Sequence, residues 1–133
     1  MNILEQVYAK AKSDPQRVVF PEADDEKMMQ AAYEAASKGY IIPILLGDKD
    51  SLQKLAAERG IDGTIFKYVD NKDEAYKEDL IERYTKLPGS ILSAKSLKRR
   101  IEDPLYFALV MEAVDDADVT FAGINYTTGD VIL

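Results

Sequence analysis

The chain has 133 residues, 47% of them apolar and 31% charged, a net charge of −7, and neither cysteine nor histidine. That is enough for one globular domain with its own core and too little for two. It excludes disulfides, a thiolate nucleophile or zinc site, a Ser-His-Asp triad and any imidazole base. The acidic balance argues against a nucleic acid or an anionic membrane as partner, since both need a basic face. There is no bilayer-length apolar run and no signal-peptide pattern at Met1-Asn2-Ile3, so a cytoplasmic protein is expected. Any chemistry must run on carboxylates, Tyr, Ser/Thr, Lys or Arg, or on residues of another chain.

Ile3, Leu4, Val7, Tyr8 and Ala11 fall at helical spacing, which predicts an amphipathic helix over 2–13. Arg17-Val18-Val19-Phe20 reads as a buried strand, ended by Pro21. The acidic turn Glu22-Ala23-Asp24-Asp25-Glu26 follows, with Asp24 or Asp25 suited to cap a helix whose face is Met28, Met29, Ala32, Ala35 and Ala36. Tyr40 to Leu46 is the second strand, and Pro43 within it predicts an edge position or a bulge. After Gly47-Asp48 comes a helix burying Leu52, Leu55 and Ala56 and stopping at Gly60. Thr64 to Val69 alternates as a half-buried strand.

From Asp73 a helix carries Tyr76, Leu80, Ile81 and Tyr84, followed by a loop over 85–95 and a short helix from Ser96 to Ile101. Asp103-Pro104 pairs a capping side chain with proline at the first helical position, and Leu105, Ala108, Leu109 and Met111 are expected to pack inward. Val119-Thr120-Phe121-Ala122 is a last short strand, broken at Gly123. Thr127-Thr128-Gly129-Asp130 then leads into an apolar trio that opens a helix. Helix alternating with strand throughout predicts one α/β domain over 1–133, three-layered, its mainly parallel sheet covered by helices on both faces.

Three stretches have chemical potential. Gly123, Tyr126, Thr127 and Thr128 form a strand–loop–helix junction, where open α/β sheets bind ligands and where hydroxyls and free backbone N–H groups suit a phosphate. Thr127, Thr128 or Asp130 serves equally well as a simple helix cap. The acidic turn at Glu22–Glu26 fits a metal or a catalytic carboxylate, or a solvated cap. Lys95, Lys98, Arg99 and Arg100 are the one basic cluster, fit to hold a phosphorylated ligand, or to pair with Glu102 and Asp103. Neither GxGxxG nor GxxxxGK[ST] occurs.

Taken together, Arg17-Val18-Val19-Phe20-Pro21-Glu22-Ala23-Asp24-Asp25-Glu26, Pro43-Ile44-Leu45-Leu46-Gly47, and Asp103-Pro104-Leu105-Tyr106-Phe107 through Asp116-Ala117-Asp118 to Gly123 and Thr127-Thr128-x-Asp130 resemble the phosphate acetyl/butyryl transferase family. The order and spacing agree over essentially the whole chain. The resemblance implies an isocitrate dehydrogenase-like first domain, the N-terminal half of a two-domain enzyme. It implies exchange of an acyl group between coenzyme A and inorganic phosphate, both as substrates, with no metal or prosthetic group. Thr127 and Thr128 would then line the cleft on the phosphate side, with Tyr126 and Gly123 beside them.

The sequence departs from the family at two positions. Leu133 stands where an arginine is usual, and Tyr126 replaces a histidine before the Thr pair. A further family arginine would fall near Thr85–Gly89, where Arg83 is the nearest candidate, out of register. The last helix has barely begun at Leu133, so exposed apolar surface near Val131-Ile132-Leu133 and a self-associating homo-oligomer are expected. The rival reading is a phospho-receiver signalling domain with Asp24, Asp25 and Asp70 as its acidic site.

Overall fold

The computed structural model describes residues 3–122. Four parallel strands, β1 (Gln16–Phe20), β2 (Ile41–Leu46), β3 (Lys67–Val69) and β4 (Val119–Thr120), form one sheet in the order β3-β2-β1-β4. The helices are α1 (Ile3–Ser13), α2 (Glu26–Ser37), α3 (Lys49–Glu58), α4 (Glu74–Thr85), α5 (Ala94–Arg100) and α6 (Pro104–Ala113). Parallel neighbours need a crossover connection, and the alternating elements supply it.

Because side chains alternate across a strand, β1 feeds two cores. Val18 and Phe20 join Leu45, Met28, Met29, Ala32, Leu52 and Ala56 under α2 and α3. Val19 joins Ile44, Leu46, Leu80, Leu97, Phe107, Ala108 and Met111 under α4, α5 and α6. The α/β expectation with helices on both faces therefore holds. The apolar face expected on Leu4, Val7, Tyr8 and Ala11 lies outside the described side chains, while Ile3 is 80% exposed.

Helix starts follow the capping signals. Asp25, Asp48, Asp73, Ser93 and Asp103 each accept a hydrogen bond from a first-turn N–H of the helix they precede. The Ser93 cap begins α5 at Ala94, two residues before the expected start. In α6 the buried residues are Leu105, Phe107, Ala108, Val110 and Met111, whereas Leu109, expected inside, is half-buried.

Two further expectations are corrected. The strand expected from Thr64 begins only at Lys67, because Asp62 accepts from both Thr64 N (3.0 Å) and Thr64 Oγ1 (2.6 Å) and curls Gly63–Ile65 into a 3-10 turn. Tyr68 secures that turn by donating its hydroxyl to the Gly63 carbonyl at 2.6 Å. Pro43 sits in an interior strand, paired with Val18 of β1. It is tolerated because β3 begins opposite Ile44, so at Pro43 the ladder runs on one side only.

Phe107 is fully buried and Ile91 is 89% exposed. Phe107→Ala should therefore lower unfolding free energy by about 3–5 kcal/mol, and Ile91→Ala by less than about 0.5 kcal/mol. Urea denaturation of the two variants checks this, and similar losses would contradict the assigned core.

Candidate functional site

The winding of the sheet reverses at β1. From β1 the chain moves outward to β2 and β3 with α2 and α3 on one face, then returns through α4, α5 and α6 on the other face to place β4 on the opposite side of β1. Right-handed crossovers require this change of face. The carboxyl ends of β1 and β4 thus form a topological switch point, the place where doubly wound sheets hold ligands.

On the β1 side the chain passes through Phe20, Pro21, Glu22 and Ala23, all buried; Glu22 is 8% exposed. Asp25 caps α2 by accepting from Met28 N at 3.1 Å, and its own N–H donates to the Glu22 carbonyl at 3.1 Å. The Asp24 carbonyl receives Nη2 of Arg59 at 2.9 Å while its side chain is exposed. The acidic turn is therefore a cap with one inward carboxyl residue, Glu22.

On the β4 side Val119 and Thr120 pair with Val18 and Val19, and Phe121 N donates to the Val19 carbonyl at 2.9 Å. The Phe121 ring, half exposed, leans on Phe20 with centroids 5.7 Å apart and a 54° tilt. Ala122 follows at the switch point. Gly123, Tyr126, Thr127 and Thr128, the phosphate-side residues, and the trio Val131–Leu133 lie outside the described residues.

What sets the register of β4 lies at the opposite end of the sheet. Arg17 forks onto Asp118, Nε to Oδ2 at 3.1 Å and Nη2 to Oδ1 at 3.0 Å, and also reaches the carbonyl and carboxylate of Asp115, both at 3.0 Å. Asp115, the turn residue after α6, has a φ of 67°, a left-handed conformation that aspartate tolerates better than most residues. Arg83 forks onto Asp116 at 2.8 and 2.6 Å and holds Asp79 at 2.7 Å, while the Tyr76 hydroxyl donates to Asp116 at 2.6 Å. Arg83, nearest in sequence to the missing family arginine, is thus bound at the amino end and not at the switch point. Nothing local in the sequence pairs these partners: Arg17 and Asp118 are 101 residues apart.

The Arg83 hydrogen bonds hold the Asp116 carboxyl below the usual range, and those from Arg17 do the same for Asp118. Burial, then the bond to Asp116, raises the Tyr76 hydroxyl.

The basic cluster does not pair as expected. Glu102 accepts from Nζ of Lys77 at 3.0 Å, Asp103 caps α6 through Leu105 N at 2.9 Å, and Arg100 lies over the Tyr106 ring at 5.5 Å. The receiver arrangement is not favoured either. With β2 between β1 and β3, Asp70 stands about 10 Å across the sheet from the Asp24–Asp25 end. Asp70 instead accepts from Lys72 N at 2.9 Å, and no cluster of three carboxylates able to hold a metal occurs among the described residues.

The sequence profile of the family described as Phosphate acetyl/butaryl transferase matches residues 2–133. The chain belongs to that family. A phosphate acetyltransferase of Acetivibrio thermocellus is 30% identical over 134 residues, covering 99% of this chain and 40% of that protein. One from Helicobacter pylori is 29% identical over 124 residues, 92% of this chain and 24% of the relative. The fold matches a phosphotransacetylase from Streptococcus pyogenes with a TM-score of 0.80 at 20% identity, over 99% of this chain and 41% of that one. It also matches the EutD phosphotransacetylase from Staphylococcus aureus with a TM-score of 0.75 at 22% identity, with the same two coverages of 99% and 41%. The chain spans about two-fifths of the Acetivibrio relative or less of these longer proteins. Among the described residues no helix is long and apolar enough to cross a membrane.

A carboxyl with a depressed folded pKa stabilises the fold above its unfolded value, near 3.9 for Asp, and loses that contribution as pH falls through the folded value. Asp116→Asn should melt at a lower temperature than the parent at neutral pH, and the difference should shrink on acidification below about pH 4. Melting curves across that range read both effects; a gap that stays constant with pH would refute the Arg83–Asp116 assignment.

Proposed function

We propose that the chain is the first α/β domain of a two-domain phosphate acyltransferase, which moves an acyl group between coenzyme A and inorganic phosphate. The observation carrying this reading is the switch point. The segment holding Thr127 and Thr128 begins at the carboxyl end of β4, in a chain that belongs to the phosphate acetyl/butaryl transferase family.

In the transfer, a phosphate oxygen attacks the thioester carbonyl, the carbon–sulfur bond breaks, and the coenzyme leaves as a thiolate that takes up a proton. The reverse direction needs the thiol deprotonated by a carboxylate, and both need hydrogen-bond donors at the carbonyl oxyanion. The Thr127 and Thr128 hydroxyls and neighbouring N–H groups hold the phosphate, with Tyr126 and Gly123 shaping the same loop. A neutral donor loop suits an anion that must be released after transfer. The acidic turn beside β1 repels it, which favours a phosphate position toward β4.

The thiol-side groups belong to the second domain, so the chain alone binds weakly and does not turn over. The reading needs no metal or prosthetic group, and takes the protein as a cytoplasmic homo-oligomer. With Leu133 where the family usually has an arginine and Tyr126 where it usually has a histidine, phosphate affinity rests more heavily on the threonines.

In the complete protein, Thr127→Val or Thr128→Val should raise KM for phosphate roughly tenfold to a hundredfold, the worth of one hydrogen bond to a charged ligand. KM for acetyl-CoA should change much less. Steady-state kinetics with each substrate varied in turn separates the two constants. Unchanged phosphate kinetics in both variants would leave the threonines as helix caps.

A further inference from the structure

Helix α5 carries Lys95, Lys98 and Arg99 at i, i+3 and i+4, which sets three cations on one face. None of the three makes an ion pair, hydrogen bond or ring contact through its side chain among the described residues, whereas Arg17, Arg59, Arg83 and Arg100 all do. Of the acids beside this face, Glu102 is held by Lys77 and Asp103 by the α6 cap, while Glu74, Glu78 and Glu82 stand across the neighbouring groove without an ion pair to the three cations. Helix stability does not account for the cluster. Lys98 and Arg99 suit the negative end of the α5 dipole, but Lys95 lies in its first turn, where a cation is unfavourable. Three like charges within about one turn also repel one another.

This face lines an open groove of about 600 Å³ together with Ser93, Ser96 and Glu102. A second groove, of about 460 Å³, runs along its other side toward α4 and shares Lys95 and Lys98. Ile81 and Ala94 give the second groove apolar lining, and Thr85 and Glu78 offer hydrogen-bonding groups at its wall. One groove therefore offers cations and hydroxyls for a multiply charged anion, and its neighbour an apolar floor with acceptors. The carboxylates Glu74, Glu78 and Glu82 around the second groove would repel an extended nucleic-acid backbone, so the ligand is small.

We propose that the Lys95/Lys98/Arg99 face of α5 is a second anion site, one that takes the polyphosphate of a nucleotide-type ligand, with the planar base in the groove floored by Ile81 and Ala94. The site uses none of the residues of the threonine loop and does not rest on the acyl-transfer reading. Two sources share this chemistry, the nucleotide end of coenzyme A and a free adenine nucleotide.

Calorimetric titration of the full chain with tripolyphosphate and with ADP, without divalent cations, tests it. Both should bind, and the triple variant Lys95→Ala/Lys98→Ala/Arg99→Ala should weaken each about tenfold or more. Removing the same charge from exposed lysines elsewhere, Lys27→Ala/Lys54→Ala/Lys72→Ala, should change affinity far less. Ala94→Leu, which narrows the apolar groove, should weaken ADP and spare tripolyphosphate. Displacement of ADP by coenzyme A assigns the site to the coenzyme, and ADP binding that coenzyme A does not disturb assigns it to a free nucleotide. No binding by the parent chain, or equal losses in the two triple variants, overturns the proposal. Circular dichroism spectra confirm that each variant is folded. Since the readout is binding and not turnover, it stands whatever the threonine variants do.

Discussion

Arg17 stands at the start of β1 and closes its guanidinium on Asp118 and Asp115, while Arg83 reaches from α4 to Asp116 in the same turn. Between them these two side chains determine where α6 ends and where β4 begins. β4 is only two residues long, too short to seat itself by ladder bonds alone, and one of those residues is exposed on its outer face. The geometry of the carboxyl end of the sheet is therefore fixed from the amino end, through a strand that acts as a rod between an ionic clasp and the topological switch point. Forked arginine–carboxylate pairs suit that role because two parallel hydrogen bonds constrain orientation as well as distance. The worth of the clasp lies in orientation; with both arginines about one-third exposed, little of it is net electrostatic stability.

The local grammar of the fold was legible before any coordinate. Aspartates at 25, 48, 73 and 103 announced helix starts because a short carboxylate satisfies first-turn N–H groups that nothing else reaches. The two faces of β1 followed from its uninterrupted apolar run. The misreadings were also local in cause. Asp62 competed successfully for Thr64 and shortened a strand whose alternation looked complete. Pro43 pointed to an edge position or a bulge, when all it needed was a strand neighbour that starts one residue later.

The candidate site was read in a different way, and its residues lie outside the described ones. The expected strand–loop–helix junction rests on residue types, and the expected chemistry on family resemblance. No periodicity carries the Arg17–Asp118 or Arg83–Asp116 pairing, since the partners are 101 and 33 residues apart and meet only through topology. Charges in a buried-strand pattern were the sole hint, with Arg17 opening an otherwise apolar strand. The α5 cations were visible as a cluster, but their lack of partners was not. That depended on Lys77 taking Glu102 across the gap between two helices.

The same long-range pairing has a kinetic consequence. β1, β2 and β3 are joined by single crossovers and can dock as soon as α2 and α3 exist, whereas β4 must return to β1 across three helices. Closing a loop of that length costs about 4 kcal/mol of chain entropy before any contact rewards it. Non-local parallel pairing is the slow step in such sheets. The β1–β4 edge is thus the last part of the sheet to take shape, whether the chain folds from denaturant or emerges from the ribosome, and until it does the apolar edge of β1 stays open to wrong partners.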